Sequence, residues 1–366
     1  MKDRKEVFKM TEFKIQLTTT PKAKPTDENA LGFGQIFTDH MFVADYDKEI
    51  GWHDGRIVPF APIALTPAAA VFHYGSEVFE GLKAYRTAEG NVQLFRPIEN
   101  VKRINISGER VGLPALDEEF ALEAIKKLIE IEQDWVPHSN GTSLYIRPFI
   151  FACDESLGVH GIQKAKFVII TSPVGSYYKE GLNPVSIMVE TDDVRAVKGG
   201  TGYTKCGGNY AAAVRAGERA NEKGYSQVLW LDGVHRKYIE EVGAMNVMFK
   251  INGEIVTPML SGSILSGITR KSIIEFMAGE GVTVNERLIS VDELVEALEN
   301  GTLEEAWGCG TAAVVSPIGK FSIYGKEYIV NGGGIGETTQ MIYDKLTDIQ
   351  WGRAEDKFGW IVPIKK

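Results

Sequence analysis

Apolar positions recur at helical spacing through residues 117–135. Phe120, Ala124 and Leu128 share one stripe, with Ile125 and Ile129 beside it, which predicts an amphipathic helix. Residues 143–151 and 166–171 are short runs rich in β-branched and aromatic side chains and predict strands. Pro97 suits the first turn of a helix opening after Phe95-Arg96. Residues 172–184 then break the pattern with two prolines, two glycines and paired tyrosines. We place an inter-domain loop at 177–184, after an N-terminal extension over 1–30 and a smaller α/β domain over 31–176. A larger α/β domain over 185–366 is expected to follow. Its predicted elements are a strand at 185–190, a helix over 210–223, and strands at 227–231 and 245–251. Ser290-Val291-Asp292-Glu293 is a capping box, and the helix it opens stops at Gly301. Residues 312–316 read as an apolar strand. Many short strands joined by turns predict a barrel-like mixed sheet, not a doubly wound α/β domain.

Composition narrows the class. A chain of 366 residues favours two domains. Its 44% hydrophobic and 24% charged residues are ordinary for a globular protein. The net charge of -9 argues against nucleic acid or an anionic membrane as partner. The longest apolar runs are strand-sized. Cys153, Cys206 and Cys309 are odd in number and far apart, so neither a disulfide framework nor a zinc site is expected, and a reducing, cytoplasmic compartment fits. The first 25 residues mix basic residues with Asp3, Glu6 and Glu12 and contain no apolar segment of the signal-peptide kind.

The candidate chemistry centres on Lys205, which lies in the glycine-rich stretch GGTGYTKCGGNY, residues 199–210. A lysine among small residues can be closed in by backbone, and burial would favour the neutral, nucleophilic amine that forms Schiff bases. It is not a nucleotide P-loop, because Thr204 precedes the lysine and Cys206 follows it. Pyridoxal phosphate needs three further things: an acid at its ring nitrogen, a cradle for its phosphate, and a dock for the substrate carboxylate. Glu240 and Glu241 are candidate acids, and strand alternation lets only one of them face a site. Residues 266–269 before a helical segment, and the small-residue turn at 308–312, are both candidate anion turns. Arg103 is a candidate fixed charge. Phe33, Tyr74, Phe79, Tyr145, Tyr177 and Tyr210 are candidate pocket walls. Arg147 shares a strand face with Tyr145 and is a candidate partner for a substrate γ-carboxylate.

In order along the chain stand FGQIFTDHM (33–41), HYGSEVFEGLKAYR (73–86), LFRPIENVKR (94–103), SLYIRPF (143–149), SLGV (156–159), GGTGYTKCGGNYAA (199–212), QVLWLDG and EEVGAMN (within 227–246), and GCGTAAVVSP (308–317). Together these resemble the branched-chain amino acid aminotransferases, fold type IV pyridoxal phosphate enzymes, in the longer form that includes the animal enzymes. The resemblance covers about residues 32–358. It implies a two-domain α/β (α+β) fold with the cofactor at the domain interface, and ping-pong transamination of L-leucine, L-isoleucine and L-valine with 2-oxoglutarate to give L-glutamate. It implies that Lys205 carries the Schiff base and moves the proton, Glu241 partners the ring nitrogen, and Tyr210 bonds the phenolic oxygen. Arg103, Ile268, Thr269 and Thr311 would hold the phosphate. Thr311 and Ala312 N–H groups, with Tyr145, would dock the α-carboxylate. Phe33, Tyr74, Phe79, Tyr177 and Ala244 would line the side-chain pocket. Leu157 and Val159 would reach the neighbouring subunit's site in an obligate homodimer.

Two positions depart from the animal pattern. Ala313 and Ser316 replace a Cys-x-x-Cys pair, so no redox switch of that kind is expected, and Ala244 stands where those enzymes have Thr. A D-amino acid aminotransferase or an aminodeoxychorismate lyase would share Lys205 and Glu241. A binding protein that kept the fold without the chemistry is the alternative from another class.

Overall fold

The computed structural model describes residues 12–175 and 182–365. The chain forms two compact units, one of residues 1–175 with 359–366 and one of residues 176–358. The expectation of a single unit over 185–366 fails at the C terminus. Strand Ile361–Pro363 pairs antiparallel with Val92–Phe95 and so belongs to the first unit. Nor is the second unit the larger, for the two are equal in length.

The first unit is built on a nine-stranded sheet. Its central members are His40–Asp47, Lys164–Val174, Ser143–Ala152 and Leu82–Arg86, in that spatial order. Part of the expected N-terminal extension joins it, since Lys14–Ile15 runs parallel to Gly51–Pro59. The amphipathic stripe forms the helix Glu118–Ile131, capped by the Asp117 carboxylate accepting from the Phe120 N–H at 2.8 Å. The helix ends before the predicted residue 135, and a short 3₁₀ turn, Gln133–Trp135, follows. Phe120 meets Phe42 of the sheet edge to face at 5.9 Å, and Ala124, Ile125, Leu128 and Ile129 are fully covered. Each aliphatic side chain so buried contributes about 1.5–3 kcal/mol.

The second unit carries another nine-stranded sheet, part of which closes on itself. Val185–Val189, Gln227–Leu231, Ile239–Val242, Met245–Ile251, Leu303–Gly310 and Val314–Ile323 form a six-stranded barrel, completed where Glu241 and Val242 pair with Asn246 and Met245. The predicted barrel-like sheet is therefore observed. Val185–Val189 is parallel to Gln227–Leu231, which requires a crossover. Helix Gly207–Glu222 supplies it and packs Ala216 and Ala220 on Val228 and Trp230. Ile187, Leu229, Val247, Phe249 and Phe321 form an apolar core shared with Leu294 and Ala297 of helix Val291–Glu299. Ser290 caps that helix as its sequence predicts, its Oγ accepting from the Glu293 N–H at 3.0 Å. Among the described residues no helix is long and apolar enough to cross a membrane.

Candidate active site

In the second unit, Lys205 stands just before helix Gly207–Glu222. Asn209 fastens the turn that delivers it. The Asn209 Nδ2 donates to the carbonyls of Thr201 and Thr204, both at 2.9 Å, and its Oδ1 accepts from Thr201 Oγ1 at 2.8 Å. The lysine is half-buried, and its Nζ donates to Tyr210 Oη at 2.6 Å. Lys205 stands before the helix and Tyr210 in its first turn, so the entry of the chain into the helix brings the two groups together.

Glu240 and Glu241 lie on strand Ile239–Val242. Alternation holds, but neither is left to solvent, for they are only 4% and 3% exposed. Glu240 accepts from Ser263 Oγ. Glu241 Oε1 accepts from the Leu265 N–H at 2.7 Å and lies 3.2 Å from Arg195 Nη2. Burial pushes the Glu241 carboxyl above the usual carboxylate range. Arg195 and the Leu265 N–H oppose this, Glu240 adds to it, and Lys205 opposes it again. Tyr210, Glu241, Ala244 and Leu265 border a cavity of about 230 Å³ whose far wall includes Val228 and Trp230.

Both candidate anion turns sit at the Glu241 end of the barrel. Helix Ile268–Gly279 starts from Gly267, which offers no side-chain cap, so its first N–H groups have no acceptor of that kind. A Cβ on Gly267 would stand 1.9 Å from Asn246 Oδ1. Asn246 in turn is in register with Glu241 on one side and Cys309 on the other. Residues 311–313 form the second turn, because Gly310 pairs directly with Val314. The predicted strand at 312–316 consequently begins at Val314, whose φ of 63° completes the turn.

In the first unit, Tyr145 is buried, with the Phe33 ring at 4.8 Å. Arg147 Nη2 donates to Tyr145 Oη at 3.0 Å, and its guanidinium lies 4.7 Å from the Phe79 ring centroid. Tyr145 and Arg147 share one sheet face, as alternation predicted, and Phe79 lies against Arg147. The Arg147 Nε is buried with no hydrogen-bond partner among the described residues. Arg103 is buried and held by Glu80, with Nε to Oε1 at 2.7 Å and Nη2 to Oε2 at 2.9 Å. Tyr74 is 44% exposed and donates its hydroxyl to the Leu157 carbonyl. Leu157 and Val159 are 67% and 83% exposed. Tyr177 lies outside the described residues.

The sequence profile of the amino-transferase class IV family matches residues 77–321. Branched-chain-amino-acid aminotransferase 2 of Bacillus subtilis is 54% identical over 351 residues, 96% of either chain. Branched-chain-amino-acid transaminase 1 of the same organism is 56% identical over 344 residues, 94% of this chain and 96% of that one. The chain belongs to the class IV aminotransferases, among the branched-chain-amino-acid enzymes. The crystal structure of the Escherichia coli branched-chain amino acid aminotransferase superposes with a TM-score of 0.74 at 27% identity, covering 88% of this chain and 99% of that one.

A class IV aminotransferase works with pyridoxal phosphate, and the donor set of the barrel fits that cofactor. It offers an amine, a phenol next to it, a buried acid, and two turns suited to an anion. Glu241 is held through Oε1 by the Leu265 N–H and Arg195, and its side chain borders the cavity. Sequence reasoning missed Asn209, Asn246 and Arg195. Asn209 was the most findable, since an Asn at the first turn of a helix commonly bonds local backbone.

Proposed function

We propose that the chain transfers the amino group of L-leucine, L-isoleucine or L-valine to 2-oxoglutarate by ping-pong exchange, giving branched 2-oxo acids and L-glutamate. The observation that carries this reading is the Lys205 Nζ held at 2.6 Å from Tyr210 Oη on the same barrel as the buried Glu241. Bound pyridoxal phosphate supplies the carbonyl carbon for the amine and a ring that accepts electrons from the substrate Cα. Lys205 Nζ removes the Cα proton and returns it on the other side of the exchange, with Tyr210 Oη as its hydrogen-bond partner. Glu241 would hold a proton on the ring nitrogen. Ile268 and Thr269 would present N–H groups to the phosphate, the Thr311 side chain would help to hold it, and Arg103 would add fixed charge.

The substrate roles follow the family pattern. Tyr145 with the Thr311 and Ala312 N–H groups takes the α-carboxylate. Phe33, Tyr74, Phe79, Tyr177 and Ala244 enclose the aliphatic side chain. One pocket must also take glutamate, and an unpaired carboxylate in hydrocarbon costs several kcal/mol. Arg147 meets that need, and its buried Nε, which has no hydrogen-bond partner among the described residues, supports the assignment. Exposed Leu157 and Val159 support a homodimer in which they reach the partner's site. Three unpaired cysteines support a cytoplasmic setting.

The decisive experiment mixes purified enzyme with L-leucine and 2-oxoglutarate and follows L-glutamate. Turnover that disappears in Lys205→Ala is expected. An inert mixture alongside turnover of D-alanine would favour a D-amino acid aminotransferase. Borohydride reduction should place the cofactor on the peptide containing Lys205, and a label elsewhere would remove the lysine from its role.

A further inference from the structure

Arg195 is an arginine at a place where arginines are seldom found, only 9% exposed in the second unit. Its Nη2 serves three acceptors. It donates to the Gly202 carbonyl at 3.1 Å and to the Ser263 carbonyl, and it lies 3.2 Å from Glu241 Oε1. Gly202 belongs to the turn that delivers Lys205, and Ser263 to the segment that leads into helix Ile268–Gly279. One guanidinium therefore joins the acid, the lysine turn and the approach to the anion helix. The convergence depends on a missing side chain. A Cβ on Gly202 would stand 2.3 Å from the Ser263 carbonyl oxygen and 2.4 Å from the Ala196 Cβ.

The charges around Glu241 give Arg195 its importance. Glu240 on the same strand repels a second negative charge, and Asp232 adds to the negative field around Glu240. The Cys309 thiol, one strand beyond Asn246, is pushed up to about 12 by burial and stays neutral. Lys205 is the other cation near Glu241, and its amine must lose its charge to react. Arg195 alone of these keeps a permanent positive charge against the acid. It meets the same Glu241 oxygen, Oε1, that accepts from the Leu265 N–H, so two groups fix one end of the carboxylate.

The geometry points to Arg195 as a positioning residue for transamination: it keeps Glu241 ionised and aimed, and ties that acid to the turn carrying Lys205. This rests on the assignment of Glu241 to the cofactor's ring nitrogen. An uncharged acid at that place would leave the nitrogen without its proton and the ring a poor acceptor of electrons.

The test uses holoenzyme loaded with pyridoxal phosphate labelled with ¹⁵N in the ring, whose NMR shift reports protonation of that nitrogen, together with equilibrium dialysis for affinity. Wild type is expected to show a protonated ring. Arg195→Gln should lose that signal and bind the cofactor about tenfold more weakly, whereas Arg195→Lys should keep the signal. In a Glu241→Gln background, Arg195→Gln should cost no more than about threefold, because the pair acts as a unit. An unchanged shift in Arg195→Gln, or an equal loss in both backgrounds, would overturn the inference and leave Glu241 its role. Full affinity and a protonated ring in Glu241→Gln alone would remove both. Should Arg195→Gln not fold, the Arg195→Lys protein is titrated instead. Its ring proton should be lost at lower pH than in wild type, and an unchanged midpoint overturns the inference.

Discussion

Replacing Gly267 with Ala tests whether the approach of Asn246 sets the first turn of the anion helix. Gly267 has φ -69° and ψ 133°, a conformation that alanine adopts freely, so the effect comes from the added carbon alone. That Cβ would stand 1.9 Å from Asn246 Oδ1, 3.1 Å from its Cγ and 3.3 Å from the Arg270 Cβ. Asn246 is 6% exposed, and its Nδ2 donates to the Leu265 carbonyl at 2.9 Å, so it cannot turn aside without losing that bond. Overpacking costs about 1–3 kcal/mol, and the lost hydrogen bond adds about 1 kcal/mol. Displacement of the Ile268 and Thr269 N–H groups should weaken pyridoxal phosphate binding by about 10–100-fold, at about 1.4 kcal/mol per tenfold. Equilibrium dialysis measures the affinity and thermal unfolding of the apoenzyme the stability. Asn246→Ala removes the obstruction, so the double variant should lose less than the sum of the single losses, by about 1–2 kcal/mol. Wild-type affinity in Gly267→Ala, or strict additivity in the double variant, would refute the reasoning.

Three further outcomes are expected. Gly81→Ala would place a Cβ 2.0 Å from Tyr145 Oη, so the KM for L-leucine should rise about tenfold or more while cofactor affinity holds; an unchanged KM would remove Tyr145 from carboxylate docking. Lys83 is fully buried and pushed down to about 8 from 10.5, so between pH 8 and 10.5 the unfolded chain binds a proton the folded chain does not. Wild-type stability should accordingly rise across that window relative to Lys83→Met, by up to about 3 kcal/mol, and parallel urea-unfolding curves would contradict it. Ser290→Ala removes the acceptor of the Glu293 N–H and should lower stability by about 1 kcal/mol, read as a shift in the urea midpoint.

The parts of the fold legible in the sequence were those decided locally. The capping box at Ser290, the amphipathic stripe from Phe120 to Ile129 and the glycine-rich turn at Lys205 each declare themselves within a few residues. Their ends were less legible, because a tight turn at 311–313 or a change to 3₁₀ geometry after Glu132 depends on the partner strand or layer. Tyr145 and Arg147 were placed on one face by alternation, and the structure puts them in contact. Arg195 was invisible for a physical reason. A buried arginine is tolerable only with acceptors converging on it, and its acceptors come from positions 202, 241 and 263. Burial of both Glu240 and Glu241 was hidden likewise, since their partners Ser263 and Leu265 lie more than twenty positions away.

Strand Ile361–Pro363 makes the first unit discontinuous in sequence. The Arg96 N–H donates to the Trp360 carbonyl at 2.7 Å, and the Phe95 and Trp360 rings meet edge to face at 5.5 Å. On the ribosome the second unit has its whole sequence available once Phe358 emerges, whereas the first must wait for Ile361–Pro363 to complete its sheet edge. Until that strand emerges, Val92–Phe95 presents an open edge to other chains. A truncation that removed Ile361–Pro363 would leave that edge open indefinitely.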